Sequence, residues 1–179
     1  METSFVADDM VNKLILLFVL EKMEIPLTEN SILDICTSRN TWLGYMDCKE
    51  VLHQLVDSKF IYTPSETKTE SRYNLTYEGR NCLSMFFQRI PLSLRENITV
   101  FCKKNRTYFK RSQEYVAEYY KNSDGSYTVA FRINEPLVPD ALLEIKIKTS
   151  TRASAIEACK KWRDSAPNTY EFLFETLLD

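Results

Sequence analysis

Few places in this sequence bring reactive side chains together. His53 is the only histidine. A metal ligand or general base needs partners at defined spacing, and none accompanies it, so His53 reads as a solvent-facing helix residue. Cys36, Cys48, Cys82, Cys102 and Cys159 are scattered singly, with no Cys-x-x-Cys pair and an odd total. They read as small apolar residues of a reduced protein, and neither a disulfide framework nor a metal site is expected. No nucleophile elbow, phosphate loop or dinucleotide fingerprint is present, and 3 glycines leave little to build a Gly-rich loop from. Neither an enzymatic activity nor a cofactor is therefore expected. What remains is charge. Lys103, Lys104, Arg106, Lys110 and Arg111 stand close together in a chain of formal net charge −2. Such a cluster suits a polyanion such as DNA, the acidic part of the same chain, or simply water.

The elements that position these residues follow from periodicity. Asp8 or Asp9 caps a first helix reaching about Met23, with Val11, Leu14, Ile15, Phe18 and Val19 at three- and four-residue spacing. It is apolar nearly all round over 14–20, which suits a helix enclosed by others or partly covered by a second subunit. Ile25-Pro26-Leu27 breaks it, and Thr28 caps a short second helix ending near Arg39. Residues 40–44 form a turn. A third helix over 45–58 packs through Cys48, Val51, Leu52, Leu55 and Val56, and shows Met46, Lys49, Glu50, His53 and Asp57 outward. Trp42 and Tyr45 read as core or cap residues rather than an exposed aromatic contact. Residues 60–63 and 72–75 read as antiparallel strands around the polar tip 65–71. Thr76 caps a fourth helix that Pro91 ends.

Ser93, with Glu96 three residues on, is expected to cap a long helix over about 94–120 that carries the basic cluster. Its aromatic residues suit a subunit interface, the core joining the two halves, or a small-molecule pocket. After Asn122-Ser123-Asp124-Gly125 the period changes to two. Strands over 127–133 and 142–148 are followed by a helix over 151–163 that Pro167 stops, then by a third strand over 170–174. The predicted class is α+β in three parts. Residues 1–90 form a helix-turn-helix with a β-hairpin wing, 91–122 a long basic connecting helix, and 123–179 an antiparallel β-β-α-β unit. Their net charges are −4, +4 and −2, from 9 Lys+Arg against 13 Asp+Glu, 7 against 3, and 7 against 9. No apolar run approaches the roughly 18 residues of a membrane span, and Asp8 and Asp9 stand where a secretory signal would be positive. A soluble, cytoplasmic protein without a membrane partner is expected.

The segment Tyr73-x-Leu75-Thr76-x-x-Gly79, coming after a helix and the Phe60-Ile61 strand, resembles the wing-to-helix signature of bacterial winged-helix regulators of the multiple-antibiotic-resistance and phenolic-acid-response types. Each residue has a physical job. Tyr73 and Leu75 bury one face of the wing strand, Thr76 caps the next helix, and Gly79 permits close packing in its first turn. The whole chain resembles a family of Gram-positive bacteria catalogued as a domain of unknown function. The resemblance implies a winged-helix DNA-binding module with a C-terminal sheet, and no catalytic activity. In such regulators the third helix enters the major groove and the wing lies along a minor groove. Carried onto this chain, Tyr45, Met46, Lys49, Glu50 and His53 would read bases. Lys68 and Arg72 would touch phosphates or the minor groove. Apart from the resemblance, Lys103, Lys104 and Arg106 of the basic cluster are the candidates for DNA flanks.

Two functions fit. One is a dimeric transcriptional regulator that binds double-stranded DNA and occludes a promoter, its C-terminal unit serving dimerisation or the sensing of a small-molecule effector. The other is a winged-helix scaffold for a protein partner, favoured by the −4 charge of residues 1–90. Salt-dependent affinity for duplex DNA separates them.

Overall fold

Seven consecutive apolar residues, 14–20, decide how the first half folds. In the computed structural model, which describes residues 9–63, 71–136, 138 and 140–178, all seven are buried. They lie on α1 (Asp9–Met23), which packs against α3 (Tyr45–Asp57), α4 (Tyr77–Phe86) and β3 (Arg72–Leu75). The chain's own elements thus enclose α1, and residues 14–20 are not offered to a second subunit. Each of these side chains is worth about 1.5–3 kcal/mol of burial.

The chain divides into two units, one closing at Phe109 and the other beginning at Lys110, each with its own apolar core. In the first, β1 (Leu27–Thr28) leads into α2 (Glu29–Leu33), which continues as one wide π-helical turn over Asp34–Arg39. Thr28 caps α2 as expected, its Oγ1 accepting from the Ser31 N–H at 3.2 Å. The turn after the π segment is pinned by the Cys36 carbonyl, which accepts from the N–H groups of Trp42 and Leu43 at 3.1 and 3.2 Å. β2 (Ile61–Tyr62) and β3 pair antiparallel, Ile61 opposite Leu75 and Tyr62 opposite Asn74. β1 adds to the other side of β3, so the sheet order is β1-β3-β2. The two-residue β1 was invisible as a pattern, because alternation needs more residues to register.

Thr76 caps α4, accepting from the Gly79 N–H at 3.0 Å and donating to the Lys59 carbonyl at 2.7 Å. A Cβ on Gly79 would lie 2.1 Å from the Phe60 carbonyl oxygen, so only glycine fits there. A 3₁₀ turn over Phe87–Arg89 follows, then α5 (Leu92–Glu114). Its first internal bond runs from the Arg95 N–H to the Pro91 carbonyl at 3.0 Å. Helix α5 therefore starts before Ser93, and the expected Ser93–Glu96 capping box does not form. The five cysteines are free. Burial pushes the Cys102 thiol up to about 12.

The second unit differs from the β-β-α-β expectation in two places. The long helix, expected to reach Tyr120, ends at Glu114, and Tyr115–Lys121 is a strand, β4. Tyr115 and Tyr119 are four apart, a spacing that also fits an alternating strand, and pairing with β5 (Tyr127–Ile133) wins. β6 (Leu143–Thr149) completes an antiparallel sheet of order β4-β5-β6, with Phe131 opposite Ala117 and Ile145. The turn at Gly125 holds a positive φ of 83°. Asp124 accepts from the Ser126 backbone and hydroxyl, which holds its carboxyl down at about 2.

The other correction concerns Pro167, which does not stop the last helix. α6 runs from Arg152 to Leu177, with Thr151 as its cap, and residues 170–174 are helical. The unit is thus β-β-β-α. An interior proline forfeits one backbone bond and strains the helix. Here Trp162, Ala166 and Tyr170, four apart on either side of it, pack on one face of the sheet and carry the helix across. Trp162 stacks on Phe131 at 4.8 Å between centroids and donates to the Arg132 carbonyl at 3.1 Å. Among the described residues no helix is long and apolar enough to cross a membrane.

Candidate nucleic-acid interface

α3 starts at Tyr45 after Gly44 and buries Cys48, Val51, Leu52 and Leu55. That leaves Tyr45, Met46, Asp47, Glu50, His53 and Asp57 exposed. Met46, 74% exposed, and Tyr45, 54% exposed, are unusual for apolar side chains, and Tyr45 is not the core or cap residue expected of it. Trp42 packs edge-on against Phe101 at 5.6 Å, as a core residue. The Glu50 carboxylate accepts from the Gln54 side chain at 3.2 Å.

Lys49 is the one cation of this face, and it is already engaged. Its Nζ lies 2.9 Å from the Glu29 carboxylate in the first turn of α2 and 5.8 Å from the Tyr45 ring centroid. The hydrogen bond to Glu29 raises its pKa. Arg72 sits in β3 opposite Thr28 and is 8% exposed, withdrawn from any surface a wing would offer. Lys68 lies outside the described residues. Arg106 is also a structural tie. Its guanidinium donates to the Lys22 carbonyl at 2.9 Å and pairs with Glu24 at 2.9 Å, holding the end of α1 against α5. An arginine at a helix C-terminus satisfies carbonyls that the helix itself leaves open.

Lys103 and Lys104, by contrast, are exposed and make no ion pair among the described residues. Lys110 and Arg111, further along α5, are exposed as well. The five cations that look equivalent in the sequence thus separate into one internal tie and four solvated charges.

Beside the turn that precedes α3 lies a polar cleft of about 460 Å³. Asn40, Thr41 and Trp42 form one wall, and Ser93, Leu94 and Asn97 of α5 the other. Arg39 borders it, paired with Asp34 at 2.7 Å and stacked 4.6 Å from the Tyr108 ring centroid. The hydrogen bond to Asp34 raises the Arg39 pKa. The sequence identifies residues 40–44 as a turn, but the opposite wall is about fifty residues away and no local pattern announces it. Among the described residues no cluster of three or more His, Cys, Asp or Glu could hold a metal ion.

A family model described as a domain of unknown function, DUF4364, matches residues 12–177. The chain belongs to this family. The match spans both units, so the first unit and the β4-β5-β6–α6 unit together make the DUF4364 domain. Comparison with curated proteins and with solved structures returned no match.

Proposed function

We propose that this DUF4364 protein is a winged-helix, DNA-binding transcriptional regulator that acts as a dimer. The observation carrying this reading is the order of the first unit. Three helices are followed by a hairpin whose second strand also pairs with the short strand between α1 and α2, and Gly79 locks the hairpin against α4. That is the arrangement in which a third helix enters a major groove and the hairpin flanks it. In this reading Tyr45, Met46, Glu50 and His53 face base edges. Lys103 and Lys104 neutralise phosphates, which supply most of the affinity in such complexes. Lys49 joins them by leaving Glu29, an exposed pair that costs little to break.

Dimerisation is supported by the end of α6. Its 26 residues extend for about 39 Å, against about 23 Å for a seven-residue strand. The last turns expose Phe172, Phe174, Leu177 and Leu178. Phe174, Leu177 and Leu178, at three- and four-residue spacing, share one side of this end, and exposed apolar stripes mark interaction surfaces.

The second reading, a protein-binding scaffold, is favoured by the exposed Asp47, Glu50 and Asp57 on α3. Fluorescence anisotropy with random duplex DNA at two salt concentrations, alongside light scattering, tests the proposal. Salt-sensitive micromolar binding by a dimer supports the regulator. No binding at low salt rejects it in favour of the scaffold.

A further inference from the structure

A second cleft of the first unit, about 350 Å³, opens between α1, the 3₁₀ turn and α5. That volume falls within the range of small-molecule sites. Phe18, Phe87 and Val100 give it an apolar wall, and Lys22, Arg95, Glu96 and Thr99 supply its polar groups.

Its two cations are held but not neutralised. The Lys22 ammonium stands 5.2 Å from the Phe18 ring centroid, and the Arg95 guanidinium 5.1 Å from that of Phe87. Ring faces fix both groups in place. Neither makes an ion pair among the described residues. The Arg95 Nε is buried and has no hydrogen-bond partner. The other charge facing the cleft is Glu96, on the turn of α5 that carries Arg95. The lining therefore carries two positive charges and one negative. It offsets one negative charge and disfavours two. Thr99 is committed as a donor to the Arg95 carbonyl at 2.8 Å, so its hydroxyl adds no donor for an anion.

We propose that this cleft binds a small organic monocarboxylate, its carboxylate between Lys22 and Arg95 and its apolar body against Phe18, Phe87 and Val100. Neither Lys22 nor Arg95 has an acid of its own among the described residues, and a guanidinium takes a carboxylate through two parallel N–H donors. An apolar body removes the exposed face of Val100, 68% accessible, from water. The assignment does not rest on DNA binding, and its test contains no DNA.

Isothermal titration of the full chain with sodium octanoate, octanol and octylamine provides that test. Octanoate is expected to bind saturably at one site per chain, at least about tenfold more tightly than octanol, with octylamine weaker still. Lys22→Met and Arg95→Met keep an unbranched apolar side chain and remove the charges. Each is expected to weaken octanoate about tenfold and leave octanol unchanged. Val100→Trp, at an exposed position that tolerates bulk, is expected to block both ligands with the melting temperature retained. It carries the test if Arg95→Met does not fold. Absence of saturable octanoate binding, equal affinity for octanol, or full binding by Val100→Trp would overturn the proposal.

Discussion

The outward face of α3 and the middle of α5 both carry cations, and they hold them differently. On α3 the single cation, Lys49, is paired with Glu29 and surrounded by the exposed acids Asp47, Glu50 and Asp57. On α5, Lys103 and Lys104 stand free in solvent, whereas Arg106 on the same helix is spent on Lys22 and Glu24 of α1. A positive residue is available as a ligand contact only where the fold has not already given it an acceptor. In the proposed complex, α3 supplies shape and a few base contacts, while α5 supplies the electrostatic attraction.

Both helices depend on the frame of the first unit, so the largest effect comes from breaking that frame. Gly79→Ala drives a Cβ onto the Phe60 carbonyl oxygen, and the hairpin must separate from α4. A loss of about 3 kcal/mol in chemical denaturation is expected, with DNA binding lost alongside. Charge reversal on α5, Lys103→Glu with Lys104→Glu, is expected to lower DNA affinity roughly 10- to 100-fold at low salt with an unchanged melting curve. Arg106→Met reverses that signature. Stability should fall by about 1 kcal/mol, because the end of α1 loses its donor. DNA affinity per folded molecule should stay within about twofold of the parent. Lys49→Met has the smallest expected effect. Thermal melting should not move, since an exposed pair contributes little, and DNA affinity should fall by no more than about threefold. A larger loss at Lys49 than at Lys103 and Lys104 would invert the comparison.

Much of the first unit was legible in the sequence because its signals are local. Thr28 and Thr76 are caps at the positions the sequence assigns, α1 and α3 match their expected spans closely, and Gly79 has the close packing expected of it. The errors came where two periods coincide or where a local rule met distant packing. Tyr115 and Tyr119 fit either a helix or a strand, and only the partner strand decides between them. Pro167 is a stop signal by itself, yet Trp162, Ala166 and Tyr170 share one face across it. Ser93 and Glu96 have capping-box spacing, but the helix begins earlier. At the candidate interface the exposed row of α3 could be read from its periodicity. The engagement of Lys49, Arg72 and Arg106 could not, because Glu29, Thr28 and Lys22 reach them only through the tertiary fold.

The salt dependence of duplex-DNA binding, measured for the parent chain and for the Lys103→Glu, Lys104→Glu variant, decides whether α5 supplies the attraction to phosphates. Each phosphate neutralised contributes about 0.9 to the slope of log affinity against log salt concentration. The parent is expected to show a measurable negative slope and the variant one shallower by about two. Identical slopes, or no binding by the parent at low salt, would contradict it.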